Sequence, residues 1–275
     1  MFWILLAALF QPPPQTTDAT IGVAAIHLES GRRIAIHADE RFPMGSVYKF
    51  AIAIAVLRRV DAGKLSLGEN VTITEFSPGW SPLRDRAKGK PITVTQRELL
   101  ELMLRDSDNT PCDYYIRKLG AKTITQEIGI AGIRIDREER VIAADIGKSG
   151  VPAYVADARD TATPNAMLEL LMRFWSRRLG LSDASHALAV KLMTETKTGA
   201  KRIRAGIPAN AKLAHKTGTM PGVFNDVGVI TSADGKQHVA IAIFTKTPKR
   251  AADDAPREKE IAELARAVYD AVTGD

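Results

Sequence analysis

The chain has 275 residues, 45% hydrophobic and 25% charged, with a formal charge of +6. This is the composition of a globular chain of one large or two modest domains, with enough apolar residues for a full core. The single cysteine, Cys112, excludes an intrachain disulfide, a CxxC redox pair and a cysteine-based zinc site.

Residues 1–15 hold an apolar run, Phe2 to Phe10, followed by Gln-Pro-Pro-Pro-Gln. The run is far shorter than the roughly 18 apolar residues of a membrane span. It resembles a short export signal, without a preceding Lys or Arg and without a clean A-x-A site. A periplasmic or secreted location is expected; the alternative is a segment that docks on the body. Ile21 to Glu29 alternates like a strand, Ser30-Gly31 makes a tight turn, and Arg33 to His37 continues as a second strand. The apolar run from Gly45 to Val60, closed by Asp61-Ala-Gly63, predicts a buried helix. Thr95 with Glu98 forms a capping box before Leu99–Leu104. A helix begins at Thr163-Pro164 and ends at Gly180, and Ser182 caps the next. Beyond Pro208 the pattern returns to strands at Ala211–Thr217, Val227–Thr231 and His238–Thr245, with a hairpin turn at Asp234-Gly235. A last helix covers Glu258 to Val272.

Strands at both chain ends around a helical middle predict an α/β (α+β) fold. Residues 20–45 and 208–275 would form an antiparallel sheet flanked by helices. Residues 46–207 would form an all-helical part, with the site in the cleft between.

Cations are interspersed with acids, as in Arg134-Ile-Asp-Arg-Glu-Glu-Arg140, and the densest run, Lys197 to Arg204, carries no aromatics. A solvated basic face is expected rather than a nucleic-acid surface. Mild positive charge also suits a small anionic substrate. His27, His37, His186, His215 and His238 form no HxH or HExxH pattern, so no metal site is expected. His215 should point away from Lys216 on a strand, and Cys112 reads as a buried small hydrophobe.

Three short motifs carry chemistry: Ser46-Val-Tyr-Lys49 at the start of the buried helix, Ser107-Asp-Asn109 on a loop between helices, and Lys216-Thr-Gly218 on a strand. Each alone is common. Together, in this order and on these elements, they point to acyl transfer through a serine. Positions i and i+3 of a helix share a face, so Lys49 can reach the Ser46 hydroxyl. A serine attacks only when a base takes its proton. A lysine can be that base where burial and a second cation, here Lys216, favour its neutral form. Ser107 can relay the proton to the leaving nitrogen. The Ser46 N–H at the helix start, with the Thr219 N–H on the facing strand, makes an oxyanion hole; one such donor is typically worth about 10²–10³ in rate.

At this point the sequence resembles a class A serine β-lactamase from about Ile21 to the last helix, and within that family the extended-spectrum PER- and VEB-like branch. Arg41-Phe-Pro-Met-Gly-Ser46 resembles the approach to the nucleophile. Arg137 and Asp160-Thr-Ala-Thr-Pro164 resemble the clamp and end of the omega loop, here 134–163. Trp80-Ser-Pro82 resembles the aromatic gate. Asn225-Asp226-Val-Gly228, with Cys112 shortly after the Ser-Asp-Asn, resembles the branch. The resemblance implies that Ser46 opens a β-lactam ring to an acyl-enzyme and that a glutamate of the omega loop activates water. Lys216, Thr217, Gly218 and Thr219, supported by Arg202, would bind the substrate carboxylate, and Asn109 its side-chain amide. Either Lys49 or the glutamate is the acylation base. Counting from Arg134-Ile135 places Glu139 on the general base, with Glu138 the alternative if the loop shifts by one. A monomer with no cofactor, no membrane span and a β-lactam substrate is implied.

The family usually carries an asparagine after the glutamate, where Ala143 or its neighbours stand here. Gly147-Lys-Ser-Gly150 lengthens the loop, and a proline-rich stretch replaces the usual N-terminal helix. The last departure implies a truncated or misassigned start, or a less stable variant. The alternatives are a penicillin-binding D-alanyl-D-alanine peptidase, against which Glu139 and the Arg137–Asp160 pair argue, and a slowly deacylating β-lactam receptor, which the missing asparagine supports.

Overall fold

A computed structural model describes residues 11–15, 17–249 and 254–274. The expectation for Phe2–Phe10 lies outside these. β1 (Thr20–His27) turns through Ser30-Gly31 into β2 (Arg33–Ile36), and His27 Nδ1 braces the turn on Ser30 Oγ at 2.8 Å. β3 (Phe42–Pro43) leads through a 3-10 turn at Gly45–Val47 into α1 (Tyr48–Asp61), which is buried from Tyr48 to Leu57. A helix apolar on all sides has no face to give to water, so it becomes the axis of the larger core.

β4 (Asn70–Ile73) and β5 (Ile92–Thr95) flank the short α2 (Pro82–Ala87) and pair antiparallel. The stretch 46–207 is therefore mostly rather than wholly helical. Four-residue strands rich in threonine carry too little alternation to announce themselves. α3 (Gln96–Leu104) starts where Thr95 Oγ1 accepts the Glu98 N–H at 3.1 Å. The Glu98 carboxylate turns outward to Arg86, so only half of the capping box forms.

α4 (Asn109–Leu119) and α5 (Ala121–Ile128) pack on α1, and α6 (Glu139–Ala156) follows. The expected loop 134–163 is thus largely helix, broken at Gly150 (φ 80) ahead of Pro152. β6 (Thr161–Ala162) pairs with β3 and leads into α7 (Pro164–Trp175). α7 ends short of Gly180, because Ser176 Oγ bonds back to Met172 O and Arg177 enters the left-handed region at φ 59. α8 (Asp183–Thr194) is capped by Ser182 as expected, and the single turn α9 (Ile203–Gly206) leads into the sheet.

β7 (Lys212–Met220), β8 (Val223–Thr231) and β9 (His238–Lys246) form a meander, and α10 (Ala255–Thr273) closes the chain. β8 starts before the expected Val227, because buried Asn225 and Asp226 interrupt the apolar pattern without ending the strand. Among the described residues the main sheet has five antiparallel strands in the order β2-β1-β9-β8-β7. α10 covers one face through Ile261, Leu264 and Val268, and the α1 core packs on the other through Val227, Ala242 and Phe244. β7 is one of the two edge strands, and it lies beside the turn that carries Ser46. Among the described residues no helix is long and apolar enough to cross a membrane.

Candidate active site

Ser46 lies in the 3-10 turn, entered through Gly45 in the left-handed region at φ 50. Glycine alone adopts that conformation freely. One turn further on, Lys49 is completely buried. Its Nζ donates to Ser46 Oγ at 2.8 Å, to Ser107 O at 2.9 Å and to Asn109 Oδ1, and lies 3.1 Å from Glu139 Oε1. Ser46 Oγ donates to the same Glu139 Oε1 at 3.3 Å.

Ser107 is held at φ 60, a left-handed conformation that is unfavourable for serine. Its neighbours hold it there. Asp108 N donates to Leu102 O, and the Asp108 carboxylate accepts Leu83 N–H at 2.6 Å and Thr110 N–H at 2.9 Å. From β7, Lys216 Nζ crosses the cleft to donate to Ser107 Oγ at 2.8 Å. Lys216 is fully buried, and that burial, with the neighbouring Lys49, holds its ammonium well below the usual lysine range.

Glu139 opens α6, and its N–H is held by Asp113 Oδ1 at 2.6 Å. Asp113 stands one helical turn after Asn109, on the same face of α4. Burial, then the neighbouring Glu139 charge, pushes the Asp113 carboxyl up to about 6. Upstream, Arg137 Nε meets Asp160 Oδ2 at 2.6 Å, and its Nη1 reaches Asp145 and Asp157 at 2.7 and 3.0 Å. Asp160 Oδ1 also accepts the N–H groups of Asp136 and Arg137. Glu138 pairs with Arg117 and Arg140, and of the two adjacent acids it is Glu139 that lines the cavity described next.

These groups surround a cavity of about 380 Å³ lined by Ser46, Trp80, Ser107, Asn109, Glu139, Ala143, Thr198, Thr217 and Thr219. A cavity of this size suits a small molecule. Trp80 is 62% exposed at its mouth, fixed by its indole N–H to Asp106 O at 2.9 Å. Among the described residues no cluster of three or more His, Cys, Asp or Glu could hold a metal ion.

Residues 6–272 match the family described as the β-lactamase enzyme family. The chain belongs to that family. β-Lactamase VEB-1 of Pseudomonas aeruginosa is 32% identical, covering 92% of this chain and 85% of its own length. Extended-spectrum β-lactamase PER-1 of the same organism is 31% identical over 91% and 82%. The crystal structure of a β-lactamase from Chitinophaga pinensis is 36% identical, with a TM-score of 0.82 over 93% of this chain and 95% of that one.

Within this β-lactamase fold, Ser46, Trp80, Ser107, Asn109, Glu139, Thr217 and Thr219 of the expected residues line the cavity, Lys49 and Lys216 bond to Ser46 and Ser107 without lining it, and Gly218 does not line it. Arg202 does not line the cavity. Its guanidinium lies behind β7 and donates to Thr219 Oγ1 at 2.7 Å, Asn225 O at 3.0 Å and Gly218 O at 3.2 Å. Cys112 is buried, and that burial pushes its thiol far up. His215 turns away from the cleft to Asp226 at 2.7 Å, and Asp226 Oδ2 also accepts the Ile203 N–H.

Sequence reasoning passed over Asp113 and Thr198, and noted Asn225 only as part of the branch resemblance. Thr198 Oγ1 bonds Thr217 Oγ1 at 2.5 Å on the cavity wall. A signal existed, because Lys-Thr-Gly occurs twice, at 197–199 and 216–218, and only the second copy lies on a strand.

Proposed function

We propose that the chain hydrolyses the β-lactam amide of penicillins and cephalosporins through an acyl-enzyme on Ser46, and so confers resistance to them. The observation that carries this reading is Ser46 Oγ within reach of both Lys49 Nζ and Glu139 Oε1 on the floor of the cavity.

Lys49 Nζ has four acceptors around it, and an ammonium offers three donors and no lone pair. Glu139 Oε1, which meets both Lys49 Nζ and Ser46 Oγ, can take the Ser46 proton, and Lys49 can take it where Glu139 is lost. Ser46 Oγ then bonds to the ring carbonyl carbon, and the N–H groups of Ser46 and Thr219 stabilise the oxyanion. When the ring C–N bond breaks, Ser107 Oγ gives its proton to the nitrogen, and the proton taken from Ser46 returns by way of Lys49 to Ser107, so that Glu139 is again a carboxylate and both lysines end as they began. Lys216, Thr217, Gly218 and Thr219 receive the substrate carboxylate, with Arg202 holding Thr219. Asn109, whose Oδ1 is taken by Lys49, has its N–H₂ left for the side-chain amide. Glu139 finally takes a proton from water, whose oxygen attacks the ester carbon, and gives it to Ser46 Oγ as the C–O bond breaks.

Ala143 favours a second reading. It places a methyl group on the cavity wall one turn after Glu139, where a polar side chain would help to hold the water. On that reading the protein is a receptor that acylates and stays acylated. Location in the periplasm or outside the cell is part of the first reading, supported by the apolar run Phe2–Phe10.

Protein mass is followed after mixing with a penicillin, with ring opening recorded in parallel. Continued ring opening with the final mass unchanged is expected, and Ser46→Ala should lose it by at least about 10⁴-fold. A persistent adduct of one drug mass would instead establish the receptor.

A further inference from the structure

The two N–H groups assigned to the oxyanion hole sit on separate segments. Ser46 is in the turn before α1, and Thr219 is on the edge strand β7. Their separation is set by whatever joins those segments, and the buried side chain of Asn225 does so. Asn225 stands on β8 directly opposite Gly218. Its Nδ2 donates to Pro43 O and Met44 O, both at 2.9 Å, and its Oδ1 accepts the Thr245 N–H at 3.0 Å. Both donors are spent on the two carbonyls that precede Gly45-Ser46.

The sheet gives up regular pairing to allow this. β8 pairs with β9 at Val223–Lys246 and again from Asp226–Ile243 onward. Between them, Thr245 Oγ1 accepts Phe224 N–H at 3.0 Å and donates to Phe224 O at 2.7 Å, so side chains replace ladder bonds. Gly218 completes the arrangement. A Cβ there would lie 2.3 Å from Met44 O and 3.3 Å from Asn225 Nδ2. The absence of a side chain is therefore what lets the Met44 carbonyl reach the amide. The Asn225 carbonyl meanwhile accepts Arg202 Nη1, the guanidinium that also holds Thr219 Oγ1.

We propose that Asn225 is a positioning residue for the acyl-transfer site: its amide ties the Pro43–Met44 carbonyls to β8 opposite Gly218 and so sets the gap between the Ser46 and Thr219 N–H groups. This rests on the acyl-enzyme reading above. Preorganised donors act only at the right distance, and a displacement of about 1 Å costs on the order of 10²-fold in rate.

The test uses Asn225→Ala and the near-isosteric Asn225→Asp, which keeps the volume but has no amide donor. Val229→Ala, buried on β8 away from the cleft, is the control for lost stability. Each is assayed well below its own Tm. The first readout is kcat/KM for a chromogenic cephalosporin. The second is the infrared band of the ester carbonyl in the acyl adduct trapped by Glu139→Gln. Both Asn225 variants should lose about 10- to 100-fold in kcat/KM, with the ester band shifted to higher frequency as its donors loosen. Val229→Ala should lower Tm and leave the band in place. If Asn225→Ala fails to fold, Asn225→Asp decides. An unshifted band and a rate close to that of Val229→Ala would overturn the assignment and leave Asn225 as a satisfied buried amide. A parent chain that opens no ring and forms no adduct would overturn the acyl-enzyme reading, and this assignment with it.

Discussion

Ser46 and Lys49 are seated on an element that apolar packing holds, whereas Glu139 arrives on a segment held largely by ions. Around the first two, Val47, Phe50, Ala51, Ile52 and Ile54 are completely buried. In α6 only Glu139, Ile142 and Tyr154 are buried, and Arg137 joins Asp145, Asp157 and Asp160 into one ionic clamp. Close packing fixes position to a fraction of an ångström and does not titrate. A clamp of this kind depends on every partner keeping its charge, because removing one leaves another buried and unpaired. On the proposed mechanism acylation has both Lys49 and Glu139 to take the Ser46 proton and deacylation has Glu139 alone, so the two steps should fail to different extents.

The largest effect that separates them is expected from Glu139→Gln. It keeps the shape and removes the base, so deacylation should fall by about 10²–10⁴-fold. An adduct of one drug mass should then accumulate on the protein, and its absence during continued turnover would remove Glu139 from that role.

Arg137→Met attacks the clamp itself. It strands Asp160 in the interior, and the loss of one partner of a buried pair typically costs about 3–5 kcal/mol. Urea unfolding measures that loss. Stopped-flow kinetics should show the burst of acylation nearly preserved and the steady rate reduced. Equal losses in both would mean that the two regions are one cooperative unit.

Asp113→Asn sharpens the comparison through pH. With its pKa raised to about 6 in the folded chain and about 4 when unfolded, Asp113 keeps its proton in the folded state across that interval. Wild-type stability therefore falls as pH rises through the interval, and the cost is complete above it. The asparagine variant should gain about 2–3 kcal/mol relative to wild type between pH 4 and pH 7. Unfolding at those two pH values checks this, and a pH-independent difference would contradict it. The smallest effect is expected from Ala143→Asn, which offers the water a second partner and should speed deacylation about 2- to 10-fold.

Much of the site was legible because its chemistry is local. Ser46 and Lys49 need only the i, i+3 spacing of a helix. Thr95, Ser182 and Pro164 announce helix starts through the bonds that their own neighbours need. Glu139 was legible only as one of two adjacent acids, since spacing cannot say which carboxylate faces the cavity. In the structure Asp113 grips the Glu139 N–H at the cavity, while Glu138 pairs with Arg117 and Arg140.

What the chain order by itself determined is the set of reactive groups and the elements that bear them, because periodicity and capping act within a few residues. The tertiary structure alone decided how far apart those groups stand. Lys216 and Ser107 are separated by 109 positions in the chain and meet at 2.8 Å. Arg202 was placed behind its strand rather than in the cavity, and Asn225 was set against the carbonyls before Ser46. Those distances come from burying two cores against opposite faces of one sheet, and that packing is a property of the whole chain rather than of any segment within it.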